Sequence, residues 1–211
     1  PRKAGIIAVG LDEGDFLVGV AITDGKHDVM MFSDAGKAVR FSENDVRPMG
    51  RNAMGVRSIN LADDDAVVDM VKVVKGGNVL TVTELGMGKR TPEDQYPLHH
   101  RGGKGVLATQ LTEKTGDLAC LKMTSEGEDV MLIRDDGTII RLPLDQVNVI
   151  SRNTQGVRLI NRLRKPRFNS LDCSAPRPTS TKTPAALSLA KPSPDTFGFG
   201  SSSAATTRAI P

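Results

Sequence analysis

A hexapeptide that returns every fifty residues restricts this 211-residue chain to a small set of architectures. Arg51-Asn52-Ala53-Met54-Gly55-Val56 is followed by Arg101-Gly102-Gly103-Lys104-Gly105-Val106 and by Arg152-Asn153-Thr154-Gln155-Gly156-Val157, and Gly5-Ile6 fits the same frame, giving spacings of 50, 50 and 51. A second landmark keeps step: Asp28-Val29-Met30 through Gly36 to Arg40, Asn78-Val79-Leu80 through Gly86 to Arg90, and Asp129-Val130-Met131 through Gly137 to Arg141. Two independent motifs holding one period leave little room for coincidence.

Each unit reads as four short strands, in the first unit Gly5–Leu11, Phe16–Thr23, Val29–Ser33 and Lys37–Phe41. Asp24-Gly25, Gly76-Gly77 and Glu126-Gly127 supply one turn, and Asp34-Ala35-Gly36, Glu84-Leu85-Gly86 and Asp135-Asp136-Gly137 the next, with glycine able to take the positive φ of a tight hairpin. Helical periodicity is absent. Four strands per unit of about 50 residues is the size of a propeller blade, and one blade cannot bury its apolar faces alone. The expected fold is therefore all-β, a pinwheel-like or propeller-like array of stacked four-stranded blades. With no Trp in the chain, the WD40 pattern is excluded.

The repeat stops near residue 162. Residues 1–161 carry 20 Lys and Arg against 23 Asp and Glu, whereas residues 162–211 carry 8 against 2, so the formal charge of +3 hides an acidic body and a basic tail. The division expected is a repeat domain over 1–163 and a disordered tail rich in Ser, Thr, Pro and Ala over 164–211, whose composition offers little apolar surface to offset ordering entropy. Two cysteines, Cys120 and Cys173, build neither a disulfide framework nor a four-ligand zinc site. No apolar run is long enough to span a bilayer, so no membrane partner is expected. These features agree with a reducing cytoplasm.

The candidate binding residues fall into two sets. Arg101-Gly102-Gly103-Lys104-Gly105 puts two cations among three glycines, which lets backbone amides and a lysine approach a phosphate; the competing reading is a solvated turn whose glycines serve backbone geometry. Arg51 and Arg152 share its position in the repeat. Arg40, Lys89 with Arg90, and Arg141 share another, and radial stacking would place each set on a ring able to track a bent phosphate backbone. Against that stands pairing of Arg40 and its equivalents with nearby carboxylates. Six Phe and one Tyr give too few aromatic rings for base stacking along a single strand. Asp63-Asp64-Asp65 reads as an acidic surface turn, His99-His100 lacks a third metal ligand, and Tyr96 reads as structural. No catalytic, cofactor-binding or metal-binding residue emerges.

His99-His100-Arg101-Gly102-Gly103-Lys104-Gly105 resembles the Gln-Arg-Arg-Gly-Gly-Lys-Gly box of the C-terminal domain of DNA gyrase A subunits, matching five positions and departing at His99 and His100. Asp28–Phe41, Glu93–Pro97 and Ser151–Ile160 are similar to later blades of that domain. The resemblance implies a β-pinwheel that binds and bends duplex DNA without reading its sequence, with the box either the principal one or a degenerate later copy. It further implies ATP-dependent introduction of negative supercoils by a bacterial, cytoplasmic A2B2 assembly, in which the partners are the rest of the gyrase A subunit, plus the gyrase B subunit. ATP and magnesium then belong to that assembly, and this chain holds no cofactor. The related wrapping domain of topoisomerase IV and a propeller-type protein-interaction module are the competing readings.

Overall fold

The computed structural model describes residues 5–13, 16–133, 138–160, 185–190 and 203–209. Among the described residues there is no α-helix, and strands are joined by tight turns and by three 3-10 turns at one position of the repeat: Glu43–Asp45, Glu93–Gln95 and Leu144–Gln146. Three hairpins carry the second landmark: β2 (Asp28–Ser33) with β3 (Lys37–Ser42), β6 (Asn78–Thr83) with β7 (Met87–Pro92), and β10 (Asp129–Ile133) with β11 (Ile139–Pro143). Gly36 and Gly86 close the first two at φ 75° and 82°, a region that a Cβ disfavours. Gly137 lies outside the described residues.

No unit builds a sheet from its own four strands, as the spacing had suggested. The hairpin β2–β3 pairs on one side with β5 (Val67–Lys72) of the next unit and on the other with β8 (Val106–Leu107) of the unit after that, giving the order β5-β2-β3-β8. One repeat later the same exchange gives β12-β7-β6-β9, with β9 spanning Leu118–Thr124 and β12 spanning Val157–Arg158. Each blade is thus four-stranded but assembled from three consecutive units. Strand alternation then places successive residues of the hairpin on opposite faces: Val29 and Met31 join one core with Phe41, Ile59 and Met70, while Met30 and Phe32 join the next with Val79, Tyr96 and Leu118. A central strand buried on both faces explains why Val29-Met30-Met31-Phe32 runs apolar without interruption. A third core gathers Leu80, Val82, Val130, Leu132 and Val147. Tyr96 is buried and meets Phe32 edge to face at 5.7 Å, in line with a structural role.

Two expectations are corrected. Gly5–Leu11 is not a strand: its equivalents β4 (Val56–Ile59), β8 and β12 are each held by a hairpin strand, whereas residues 5–11 have none beside them among the described residues. The segment after 164, expected to lack order, contributes β13 (Ala185–Ala190) and β14 (Ser203–Ala209), which pair with each other and complete a sheet in the order β1-β14-β13-β4, where β1 is Leu17–Thr23. By the exchange rule β1 and β4 flank the place of a hairpin, and the tail's hairpin occupies it with its two strands in reverse chain order. Open backbone donors and acceptors on two facing edges recruit a strand through main-chain bonds, which composition does not forbid. The remaining residues of 161–211 lie outside the described ones. The acidic turn also differs in part, because Asp65 is buried and accepts from the Ala35 amide at 3.1 Å, fastening the β2–β3 turn.

Asp69 on β5 gives the body a measurable pH dependence. Burial pushes its carboxyl up from 3.8 to about 6, the Met70 amide drawing it partly back. A carboxyl whose folded value is raised keeps a proton that the unfolded chain has released, so its contribution to stability falls as pH rises from about 4 to about 6 and the penalty is complete above that. Asp69→Asn should therefore stabilise the chain by about 1–2 kcal/mol at pH 7 and by almost nothing at pH 4. Denaturant midpoints at the two pH values check this, and equal shifts at both would contradict it.

Candidate nucleic-acid interface

The turn opened by each repeat arginine is pinned between units by the same bonds. The Asn60 amide donates to the Gly103 carbonyl at 2.9 Å, the Gln110 amide to Thr154 at 3.1 Å and the Gly10 amide to Ala53 at 3.4 Å. Arg101 Nη1 donates to the Arg57 carbonyl at 3.1 Å, and one repeat later Arg152 Nη1 donates to the Leu107 carbonyl at 2.9 Å. Equivalent anchoring puts the turns at 51–54, 101–104 and 152–154 on the same side of consecutive blades. Arg51, Arg101 and Lys104 are exposed and Arg152 is half-buried. Lys104 has no hydrogen bond or ion pair among the described residues, so its ammonium is available, while Arg101 spends part of its guanidinium on the carbonyls of Asp45 and Arg57.

The glycines of the box divide by role. Gly105 has φ 73°, and a Cβ there would lie 2.6 Å from the Ala38 carbonyl oxygen, so it exists to let β8 close on β3. A Cβ on Gly103 would make only ordinary contacts, 3.9 Å to the His100 carbonyl oxygen and 4.0 Å to the Gly105 nitrogen, and Gly102, at φ 80°, donates its amide to the Ser58 carbonyl at 2.7 Å. The competing reading, glycine for backbone geometry, therefore holds for Gly105 and for Gly102, whose φ a Cβ disfavours, while Gly103 leaves the surface beside Lys104 unobstructed.

The second cation ring is corrected. Arg40 is largely buried: its Nε and Nη2 meet Asp28, and its Nη1 meets Glu93 and the carbonyls of Glu93 and Tyr96 in the next unit. Arg90 is buried and its Nε donates to the Val147 carbonyl at 2.9 Å, the equivalent acceptor one repeat on. Lys89 is fully buried, its Nζ donating to the carbonyls of Ser151, Arg152 and Thr154 at 3.1, 2.6 and 2.8 Å. None of the three is free to form a surface ring, because each ties one unit's hairpin to the following unit's loop. Arg141 alone of this set is exposed, and it pairs with Asp129. Sequence reasoning missed Arg57 and Arg158, exposed on the strands that leave the turns of Arg51 and Arg152. The spacing Arg51 to Arg57 and Arg152 to Arg158 is a shared signal, interrupted in the middle repeat by Leu107.

His100 is exposed and lies 3.5 Å from Asp45, and no group of three or more metal-ligating side chains occurs among the described residues. No helix among them is long and apolar enough to cross a membrane.

The sequence pattern of the family described as DNA gyrase C-terminal domain, beta-propeller, matches residues 1–24, 27–73, 77–119 and 128–166. The DNA gyrase A subunit of Pseudomonas aeruginosa is 48% identical over 160 residues, which are 76% of this chain and 17% of that protein. Its Escherichia coli counterpart is 42% identical over 159 residues, 75% of this chain and 18% of that protein. The chain thus spans under a fifth of the length of these relatives. Among solved structures, a DNA gyrase A C-terminal domain superposes with a TM-score of 0.71 at 25% identity, covering 80% of this chain and 57% of that one. The C-terminal domain of a DNA topoisomerase IV gives 0.72 at 20% identity over 76% of this chain and 50% of that one, a likeness of fold.

The division of the glycines is testable. Gly105→Ala should cost about 2–4 kcal/mol through positive-φ strain and the clash with Ala38, while Gly103→Ala stays within about 0.5 kcal/mol. Thermal or denaturant unfolding of the two variants measures the difference, and equal stabilities would contradict the packing role of Gly105.

Proposed function

Because the chain belongs to the C-terminal domain family of DNA gyrase A subunits, we propose that it binds duplex DNA along the side bearing the Arg51, Arg101 and Arg152 turns and bends it without reading bases. One observation carries this reading: cations recur once per blade on turns held in place by the same interblade hydrogen bonds. A row of regularly spaced positive charges suits a polyphosphate, whose charges are also regularly spaced, and neutralising them releases counterions. The body's acidic balance offers no bulk attraction to DNA, so its binding must come from this local face.

In the longer protein the wrapped segment would be presented to the strand-passage machinery, with the gyrase B subunit completing an A2B2 assembly that consumes ATP with magnesium in the bacterial cytoplasm. This chain supplies the DNA path and no chemistry. Relatives at 42–48% identity that are gyrase A subunits favour this reading over topoisomerase IV, for which the likeness is structural.

Arg101→Ala with Lys104→Ala should weaken binding to unrelated duplexes about equally and lower the slope of log affinity against log salt by about 2. The tail's cations are the same in both proteins, so the change in slope belongs to the turn. An altered base preference with an unchanged slope would contradict phosphate contact. Unchanged binding of protein partners but no DNA binding in either protein would favour the interaction module.

A further inference from the structure

Lys89 occupies a position that the other units fill with Val39 and Ile140, and it is the first of the two consecutive buried cations that β7 sends to opposite faces. Its side chain is enclosed beneath the turn of residues 151–154. There the ammonium binds three carbonyls and, at 3.3 Å, the Thr154 hydroxyl, which itself donates to Ser151 at 2.7 Å. Among the described residues no carboxylate is bonded to it. Opposite it on β6 stands Thr81, uncharged, and Arg152 on the turn is a second cation. The corresponding turn at 101–104 has Val39 in the equivalent place and carries its available cation, Lys104, on its outer surface instead.

We propose that Lys89 and Arg152 make the 151–154 turn a phosphate site of a different design from the box, in which Lys89 is a positioning residue acting from beneath. Resting on the duplex-binding reading above, this assigns the ligand as one backbone phosphodiester of DNA. Lys89 gathers the carbonyls of Ser151, Arg152 and Thr154 inward, so the turn's negative dipole ends face the interior and its outer surface is left to the part of the Arg152 guanidinium that the Leu107 carbonyl does not hold, the Arg152 amide itself donating to Gln95. A buried ammonium without a counter-ion is also screened little by salt, so its charge adds to the attraction at the surface above it. Side chains differing at one repeat position then give two neighbouring blades two kinds of phosphate contact.

The test uses the full chain and a 40-base-pair duplex. Lys89→Met and Lys89→Val, the latter copying the first unit, should keep the β fold by circular dichroism, lower affinity about fivefold to tenfold and reduce the salt slope by about 1. Arg152→Ala should do the same, with the double variant little worse than either single one. Burial and Arg152 bring the Lys89 ammonium down from 10.5 to about 8, so wild-type affinity should also drop as pH passes about 8, a step missing from both Lys89 variants. Absence of the step in the wild-type chain overturns the proposal whether or not the substitutions are tolerated, and Tyr96, pushed up to about 12, does not titrate there. Folded Lys89 variants with wild-type affinity, slope and pH profile overturn the proposal while leaving duplex binding intact. Losses that multiply in the double variant overturn it as well. A wild-type chain that binds no duplex overturns both this proposal and the reading beneath it.

Discussion

The structure depends on one constraint: no repeat can satisfy its own backbone. A hairpin such as β2–β3 has two open edges, and the strands that close them arrive from the next unit and the one after it. Exchange on this scale brings 3-10 ends and loop carbonyls of one unit into the interior of another, where unpaired acceptors would cost about 1–3 kcal/mol each. Arg40 and Arg90 answer that demand at equivalent places, donating to the carbonyls of Tyr96 and Val147. Parallel bridges from Arg40 to Leu98 and from Arg90 to Val149 continue the tie through the backbone. Apolar side chains could fill these sites, but they could not donate.

The proposed binding face inherits its geometry from the same exchange. The turns at 101–104 and 152–154 each hang between the exchanged short strand that follows and the short strand of the preceding unit, beyond which a backbone amide donates to the turn carbonyl. The turns are therefore placed by blade stacking, and a change in the relation between two blades moves the cations with it. Gly105 and Gly156 mark the same dependence, since a Cβ on either would meet the backbone of Ala38 or Gly88 at 2.6 Å. What resembles a loop made for DNA is, in part, the hinge by which a strand crosses to its neighbour.

Much of this was legible in the sequence. The period, the hairpins and their glycine turns, the all-β class and the box on an exposed turn follow from residue spacing, because each depends on local chemistry. Which unit completes which sheet was not legible, since a strand exchanged with a neighbour has the same alternation as one folded back on its own hairpin. Nor was the burial of Lys89 and Arg90. A lysine beside an arginine at the end of a hairpin reads as a solvated pair, and only the carbonyls brought over by the following unit make a buried ammonium tolerable. Ala185–Ala190 alternates only over Leu187-Ser188-Leu189, too briefly to announce a strand, and its pairing is main chain to main chain.

Cations placed by blade stacking should bend duplex DNA through its phosphates. Energy transfer between dyes on the two ends of a duplex measures the bend directly. The chain should draw the ends together to the same extent on duplexes of unrelated sequence, and the effect should fade steeply as salt is raised. A bound duplex that stays straight, or a bend confined to one sequence and indifferent to salt, would contradict it.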